Sequence, residues 1–238
     1  MVEINETVRM TLAALERNNF EAKSVENRGE ATKLILSLIP QDAVIGIGDS
    51  VTIKQISVLD ELSKRGNRVI NPFTDEFTID KPQLRAQTQR KALMTDVFIT
   101  SANAVTLNGK IVNVDMVGNR VAGVIFGPKR TIIVVGKNKI VNSVEEALYR
   151  IKNIIAPYHA QRKRFKTPCA TTGVCSDCSS PQRICNITVI LDKKPRRIES
   201  TVVVVNEDLG LSWNETWPRE RVNEIKTNYN EYTGIFRG

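Results

Sequence analysis

Four cysteines in one short stretch are the most informative chemical feature of the sequence. The stretch reads TPCATTGVCSDCSSPQRICN, and it holds every cysteine of the 238-residue chain. Thiolates with this C-x5-C-x2-C-x6-C spacing, interleaved with Gly, Ser, Thr and Pro, can converge on a metal ion or an iron–sulfur cluster. The predicted ligands are Cys169, Cys175, Cys178 and Cys185.

Disulfides and zinc are the alternatives to an iron–sulfur cluster. Two disulfides would suit a secreted protein, but the N-terminal sequence MVEINETVRM has no apolar h-region, so we expect a cytoplasmic protein. Clustered cysteines in a reducing compartment more often bind metal. Structural zinc usually uses two short knuckles, and only Cys175 and Cys178 form one. The wider outer spacings favour a 4Fe-4S cluster, with zinc as the alternative. His159, the only histidine, is a poor ligand candidate.

Composition and charge are ordinary for a soluble globular protein. Apolar residues make up 41% of the chain, yet no apolar run approaches the ~20 residues that a membrane span needs. The net charge of +8 favours an acidic partner or a phosphorylated ligand. Aromatic residues are only 5%, which leaves few stacking platforms and makes nucleic acid an improbable partner. The basic run QRKRFK at 161–166 is either a solvated face or a basic surround for an anion.

A second group of candidate residues follows the ends of predicted strands. The segment GIGDSVT at 46–52 lies between a strand and a helix, where backbone N–H groups favour an anion. It is not a dinucleotide fingerprint, because Val51 occupies the third glycine position. Polar loops at 101–103 and 113–120 follow two further strands. Ligands of open α/β sheets bind at the carboxyl ends of strands, so we expect these loops to meet.

The expected ligand of these loops is a small anionic metabolite. Arg120 offers a planar fork for a carboxylate or phosphate, and Asp115 can accept a proton, so both are catalytic candidates. The alternative is an ion pair between the two that only holds the loop. The expected ligand-binding residues are Gly46, Gly48, Asp49, Ser50, Thr52, Ser101, Asn103, Asn119 and Lys129.

Alternating helical and strand patterns predict an α/β fold, an open sheet with helices on both faces. Helices are expected at 3–19, 29–39, 51–65, 82–93, 143–155 and 213–232, with Pro157 ending the fifth. Strands are expected at 43–48, 68–72, 96–100, 104–106, 111–114, 121–126, 131–135, 187–191 and 201–205, with an Asn-Gly hairpin turn at 108–109. The expected division is an α/β core at 1–160, a cysteine-rich insertion at 161–186, and 187–238 completing the same domain.

Three segments resemble the LUD-domain proteins, a family named for lactate utilisation. They are VIGIGDSVT, DVFITSANAVTLNGKIVNVDMVGNRVAGVIFGPKRTIIVVGKNKIV and EDLGLSW. The resemblance implies a fold similar to the sugar-phosphate isomerase and CoA-transferase superfamily. It also implies a role near the iron–sulfur-dependent oxidation of lactate to pyruvate, beside ferredoxin-like redox partners. It supplies no established catalytic residue.

Together these patterns predict an iron–sulfur protein, either an enzyme or an electron-transfer subunit, in the oxidation of lactate or a related small carboxylate. The alternative is a regulatory or binding protein. In that case the zinc or cluster would be structural, and a basic face would meet nucleic acid or a protein partner.

Overall fold

The strands of the chain form two sheets in the computed structural model, which describes residues 6–74 and 81–233. In chain order the strands are β1 (Glu21–Val25), β2 (Ile45–Ile47), β3 (Val69–Ile70), β4 (Val97–Ser101), β5 (Ala104–Thr106), β6 (Ile111–Asp115), β7 (Arg130–Gly136), β8 (Ile140–Val141), β9 (Ile187–Leu191) and β10 (Glu199–Val205). Six of them pair in parallel, in the spatial order β1-β10-β7-β4-β2-β3. The other four form a smaller mixed sheet in the order β8-β5-β6-β9.

Helices cover both faces of the large sheet, which confirms the predicted α/β class. Within the described part of the chain, no helix combines the length and apolar character needed to cross a membrane. The helices are α1 (Glu6–Arg17), α2 (Arg28–Leu38), α3 (Val51–Gln55), α4 (Val58–Lys64), α5 (Pro82–Ala92), α6 (Asn119–Ile125), α7 (Val144–Arg150), α8 (Ala156–Arg162), α9 (Pro168–Thr172) and α10 (Arg219–Tyr232).

Each face of the large sheet buries its own apolar core. Successive side chains of a strand point to opposite faces, so β7 and β10 contribute to both cores. The core against α2, α3 and α4 takes Ile132, Val134, Val203 and Val205. The core against α1, α6 and the smaller sheet takes Ile133, Val135, Val202 and Val204. Burial on both faces explains why these strands read as continuous apolar runs.

The smaller sheet lies between the large sheet and a third apolar core formed with α7 and α10. Strands β5 and β6 form the predicted Asn-Gly hairpin. Gly109 has a φ of +78°, and a Cβ there would lie 2.6 Å from the carbonyl carbon of Ala14. Glycine therefore satisfies both the turn geometry and the contact with α1.

Two predictions near the strand ends are wrong. Residues 121–125 of the strand predicted at 121–126 belong to helix α6. Gly118 has a φ of +95°, and the Asp115 carboxylate accepts a hydrogen bond from the Val121 N–H (3.2 Å), which starts the helix. The helix predicted at 51–65 is split into α3 and α4, because Ser57 adopts a left-handed conformation with a φ of +53°.

Two helix boundaries also differ from the prediction. Pro157 does not end the helix that begins after Ser143; the chain continues through a π-helical turn at Ile151–Ile155 into α8. The wider turn accommodates a proline that an uninterrupted α-helix would exclude. The C-terminal helix begins only after Pro218, so both tryptophans lie in the preceding loop. Strand β1 and helix α9 were not predicted.

Gly46 packs too closely against α5 to accept a side chain. A Cβ at this position in β2 would lie 2.1 Å from the carbonyl oxygen of Ala92 and 2.7 Å from Thr95 Oγ1. We expect Gly46→Ala to lower the free energy of unfolding by about 1–3 kcal/mol, the usual cost of overpacking. Urea denaturation followed by far-UV circular dichroism measures this loss.

Gly29→Ala is the matched control. Gly29 is exposed in the first turn of α2, and the nearest atom to an added Cβ is Asn27 Oδ1 at 3.3 Å. Alanine favours helices over glycine, so this variant should be as stable as the wild type or slightly more stable. Equal losses in the two variants would contradict the packing explanation for Gly46.

Candidate functional site

A buried lysine joins the loops at the carboxyl ends of three neighbouring strands. The Nζ of Lys139 donates hydrogen bonds to Thr52 Oγ1 (2.8 Å), Ser101 Oγ (2.8 Å) and the carbonyl oxygen of Ala102 (3.0 Å). Thr52 comes after β2, Ser101 and Ala102 lie at the end of β4, and Lys139 comes after β7. Three loops that are distant in sequence are thus held together by one ammonium group.

The charge of Lys139 has no carboxylate partner within ion-pair distance among the described residues. Its side chain is only 5% exposed, and burial lowers its pKa to about 7, with a further contribution from the Arg120 guanidinium. Gly210 closes the other side, where an added Cβ would lie 2.8 Å from Nζ. The predicted residues Thr52 and Ser101 therefore act first as partners of this lysine.

Arg120 and Asp115 lie close together and fasten the loop between β6 and α6. Arg120 Nη2 donates to Asn103 Oδ1 (3.0 Å) and to the carbonyl oxygen of Val114 (2.6 Å). Its Nε lies 4.0 Å from Asp115 Oδ2. Both side chains are largely buried, at 13% and 12% exposure. These contacts support the loop-holding role, and the catalytic role of the two residues remains a prediction.

Half-buried His159 and buried Tyr229 form a pair beside this edge of the sheet. His159 Nδ1 contacts the Tyr229 hydroxyl. Burial lowers the pKa of His159 to about 4; the Asp49 carboxylate opposes the shift, and the cations Lys163, Arg120 and Lys54 add to it. Burial also raises the pKa of Tyr229. Both groups are therefore uncharged at neutral pH.

Four cations thus surround one edge of the large sheet, and we refer to them as the cationic edge. Lys163 is half-buried, and burial lowers its pKa; Asp49 opposes this shift, while Lys54 and Arg85 add to it. Asp49 is exposed at the rim. The members of the cationic edge are Lys54, Arg120, Lys139 and Lys163. Sequence analysis named only Arg120 among them as a site residue, although Lys163 belongs to the basic run at 161–166 that was considered as a surround for an anion.

The remaining predicted ligand residues have different surroundings. Gly48 packs against β4, where a Cβ would lie 2.6 Å from Thr100 Oγ1. Ser50 Oγ accepts a weak hydrogen bond from the Ile53 N–H (3.4 Å), but α3 spans only five residues. Asn119 is the half-buried first residue of α6.

Lys129 is separated from the other predicted residues. It precedes β7, and its Nζ lies 3.4 Å from Asp96 Oδ1, just before β4. It therefore lies at the amino ends of these parallel strands, opposite the cationic edge. Lys129 cannot contribute to the same site as Arg120.

The four cysteines lie in α9 and the loop that follows it. All four are free thiols and half-buried. Burial raises the pKa of Cys185; Arg183 opposes this shift, and the other three cysteines add to it, so all four lie within electrostatic range. Arg183 braces the loop by donating to the Cys185 carbonyl oxygen (3.2 Å) and to Asp177 Oδ1 (2.7 Å).

The thiols do not converge at the distances that a single ion requires. Within residues 6–74 and 81–233, no group of three His, Cys, Asp or Glu side chains could hold a metal ion as placed. The donor chemistry fits an iron–sulfur cluster or zinc, since thiolate is a ligand for both. The side-chain positions do not distinguish between the two.

Asn186 connects the cysteine loop to the Asp115–Arg120 loop. Its backbone N–H donates to the Asp115 carbonyl oxygen (3.0 Å), and its side-chain Nδ2 donates to the Met116 carbonyl oxygen (3.0 Å). On the other side, α8 carries His159 and leads through Lys163 to α9. The thiols and the cationic edge are thus joined at both ends of the cysteine segment.

Lys139→Met should change how stability depends on pH. Between pH 7 and about 10 the unfolded chain binds this proton more often than the folded protein, whose pKa is about 7. The free energy of unfolding of the wild type should therefore rise with pH. In the variant the slope should be smaller by up to about 1.4 kcal/mol per pH unit. Urea denaturation from pH 7 to pH 9, with reductant present, measures the slopes. Identical slopes would contradict the depressed pKa.

The comparisons with known proteins identify the family. Residues 8–205 match the LUD domain family, a range that includes every strand of both sheets. No curated protein matches the chain. Among solved structures, a DUF162 family protein from Deinococcus radiodurans is similar at 16% sequence identity, with 86% of this chain and 100% of that chain covered and a TM-score of 0.49. The chain belongs to the LUD domain family, which is linked to lactate utilisation.

Proposed function

We propose that this LUD-domain protein is an iron–sulfur protein that binds a small carboxylate and takes part in its oxidation. The protein would act as an enzyme or as an electron-transfer subunit, with lactate or a related 2-hydroxy acid as the compound oxidised. The cationic edge would bind the carboxylate, and the four cysteines would hold the cofactor.

The observation that carries this proposal is the attachment of the cysteine loop to the loop that holds Arg120. Asn186 makes both connecting hydrogen bonds, at 3.0 Å each, and it directly follows Cys185. A thiol-held cofactor would therefore lie beside the loop that binds the anion. A purely structural metal would not need this proximity.

A 4Fe-4S cluster is the proposed cofactor, held by Cys169, Cys175, Cys178 and Cys185. When bound, such a cluster supplies one-electron transfer. The wide outer cysteine spacings support it over zinc, and the mutual electrostatic range of the four thiols is consistent with one shared cofactor. The Arg183 guanidinium beside the loop favours an anionic cofactor.

The chain's own residues would bind and orient the carboxylate. Arg120 has a planar fork suited to a carboxylate, and its Nη2 is already fixed by two hydrogen bonds. Asp115 accepts backbone hydrogen bonds from Met116 and Val121, which hold its carboxylate beside Arg120. The exposed residues Arg164 and Lys166 precede the cysteines and would attract an acidic, ferredoxin-like redox partner.

Anaerobically purified protein should contain about four irons and four sulfides per chain, as one cubane cluster would. The physical reason is that four thiolates in one loop satisfy all four corner irons. Iron, acid-labile sulfide and zinc assays measure the stoichiometry. Stoichiometric zinc without labile sulfide would contradict the proposed cofactor.

The variants Cys175→Ser and Cys178→Ser should each lose the cluster and remain folded, because the sheets are built from other segments. Ser179→Ala, an exposed change in the same loop, is the control and should retain the cluster. Visible absorption reports the cluster and far-UV circular dichroism the fold. Global unfolding of both cysteine variants would show that the loop is part of the core.

Arg120→Ala should weaken carboxylate binding by about 1.5–3 kcal/mol, the range for hydrogen bonds to a charged group. Arg197→Ala is the control, because Arg197 is exposed before β10, at the opposite edge of the sheet. Calorimetric titration with lactate and pyruvate, beside melting curves, separates two roles. If Arg120 only holds the loop, Tm falls but carboxylate affinity well below Tm does not change.

A further inference from the structure

We infer that the ligand of the cationic edge carries at least two negative charges: a carboxylate and a second anionic group, either phosphate or another carboxylate. This inference rests on the proposed function, because it concerns the same anion site. It narrows the class of compound, since lactate and pyruvate each carry only one charge.

The first reason is an excess of positive charge without a described partner. Lys54, Lys139 and Lys163 have no carboxylate within ion-pair distance among residues 6–74 and 81–233. Arg120 is partly compensated by Asp115 at 4.0 Å. Among the described carboxylates, the exposed Asp49 is the one that raises the pKa of both His159 and Lys163. One monoanion would leave part of this charge uncompensated.

The second reason is that hydrogen bonds fix the cations on several neighbouring loops. Lys139 Nζ donates to the Ala102 carbonyl oxygen (3.0 Å), and Arg120 Nη2 donates to Oδ1 of the next residue, Asn103 (3.0 Å). Lys54 lies two residues after Thr52, another hydrogen-bond partner of Lys139. Lys54 and Lys163 are both within electrostatic range of His159. The positive charge is thus spread over several loops, which suits a ligand with more than one anionic group.

The third reason is the degree of burial. Lys139 is buried, and Lys163 and Lys54 are half-buried, so water screens these charges less than it would on an open surface. Like charges gathered in this environment disfavour one another. A ligand group that pairs with Lys54 and Lys163 would relieve that repulsion, and a second group near Arg120 would do the same there.

The test compares matched ligands that differ by one anionic group. The full-length protein, purified anaerobically, is titrated calorimetrically with pyruvate and phosphoenolpyruvate, and with lactate and malate. The expected result is that phosphoenolpyruvate binds tenfold or more tightly than pyruvate, or that malate binds tenfold or more tightly than lactate. In each pair we call the compound with two anionic groups the polyanion. Preference for phosphoenolpyruvate alone identifies a phosphate as the second group, and preference for malate alone identifies a carboxylate.

Two substitutions locate the second anionic group. Lys163→Gln and Lys54→Gln keep an unbranched polar side chain, one bond shorter than lysine, but remove one charge each. Either substitution should reduce the polyanion-to-monoanion affinity ratio at least threefold. Lys33→Gln is the control, because Lys33 is exposed on α2. The control should leave the ratio unchanged. Melting curves of each variant verify that the fold is retained.

The outcomes separate this inference from the proposed function. Binding of lactate or pyruvate that depends on Arg120, without any preference for the polyanions, would overturn the inference and leave the proposed function standing. A polyanion preference that survives both lysine substitutions would overturn the assignment to Lys54 and Lys163. Absence of binding by all four compounds would overturn both proposals.

Discussion

The buried ammonium group of Lys139 is the interaction on which the candidate site depends. It can reach Thr52, Ser101 and Ala102 together only because β2, β4 and β7 run in parallel and are neighbours in the large sheet. Hydrogen bonds to three neutral oxygens satisfy the donors of the ammonium group but do not balance its charge. Lys139 also requires a glycine in the loop after β10, because Gly210 lies against Nζ and leaves no space for a Cβ. The loops of the candidate site and the packing after β10 therefore meet at one side chain.

The cysteine segment is coupled to this edge of the sheet through continuous structure. The helical stretch from Val144 to Arg162 passes through a π turn, places His159 beside Tyr229, and leads into α9. A π turn inserts one extra residue into a helix and often occurs at functional positions. Here it allows Pro157 to lie inside the helix. At its far end, the segment is attached by Asn186 to the loop that carries Asp115. A conformational change in the thiol loop could therefore reach the cationic edge through both of its ends.

Local patterns predicted the elements whose signals are local. The Asn-Gly turn, the strands at β4, β7 and β10, and the glycine-rich end of β2 all follow from short-range residue types. Helix α6 was missed because VAGVIF is rich in β-branched residues; its start depends on Asp115 and on the left-handed Gly118, which the pattern does not reveal. Lys139 was missed as a central residue because the KNK motif resembles an exposed turn. Its burial depends on Gly210, some 70 residues later in the chain. His159 was considered only as a metal ligand, since its partner Tyr229 is equally distant. A cluster of charged side chains that come from several loops can be recognised only in the tertiary structure.

The position of β10 has a consequence for the order in which the protein folds during synthesis. Among the described strands, β1 pairs with β10 alone, and β10 lies between β1 and β7. The first strand therefore cannot obtain its sheet hydrogen bonds until residues 199–205 have left the ribosome. By then the cysteine segment has already been synthesised, and it emerges while the large sheet is still incomplete. Pairing across such a long sequence separation slows folding. The thiols are thus accessible to solvent before the large sheet is complete.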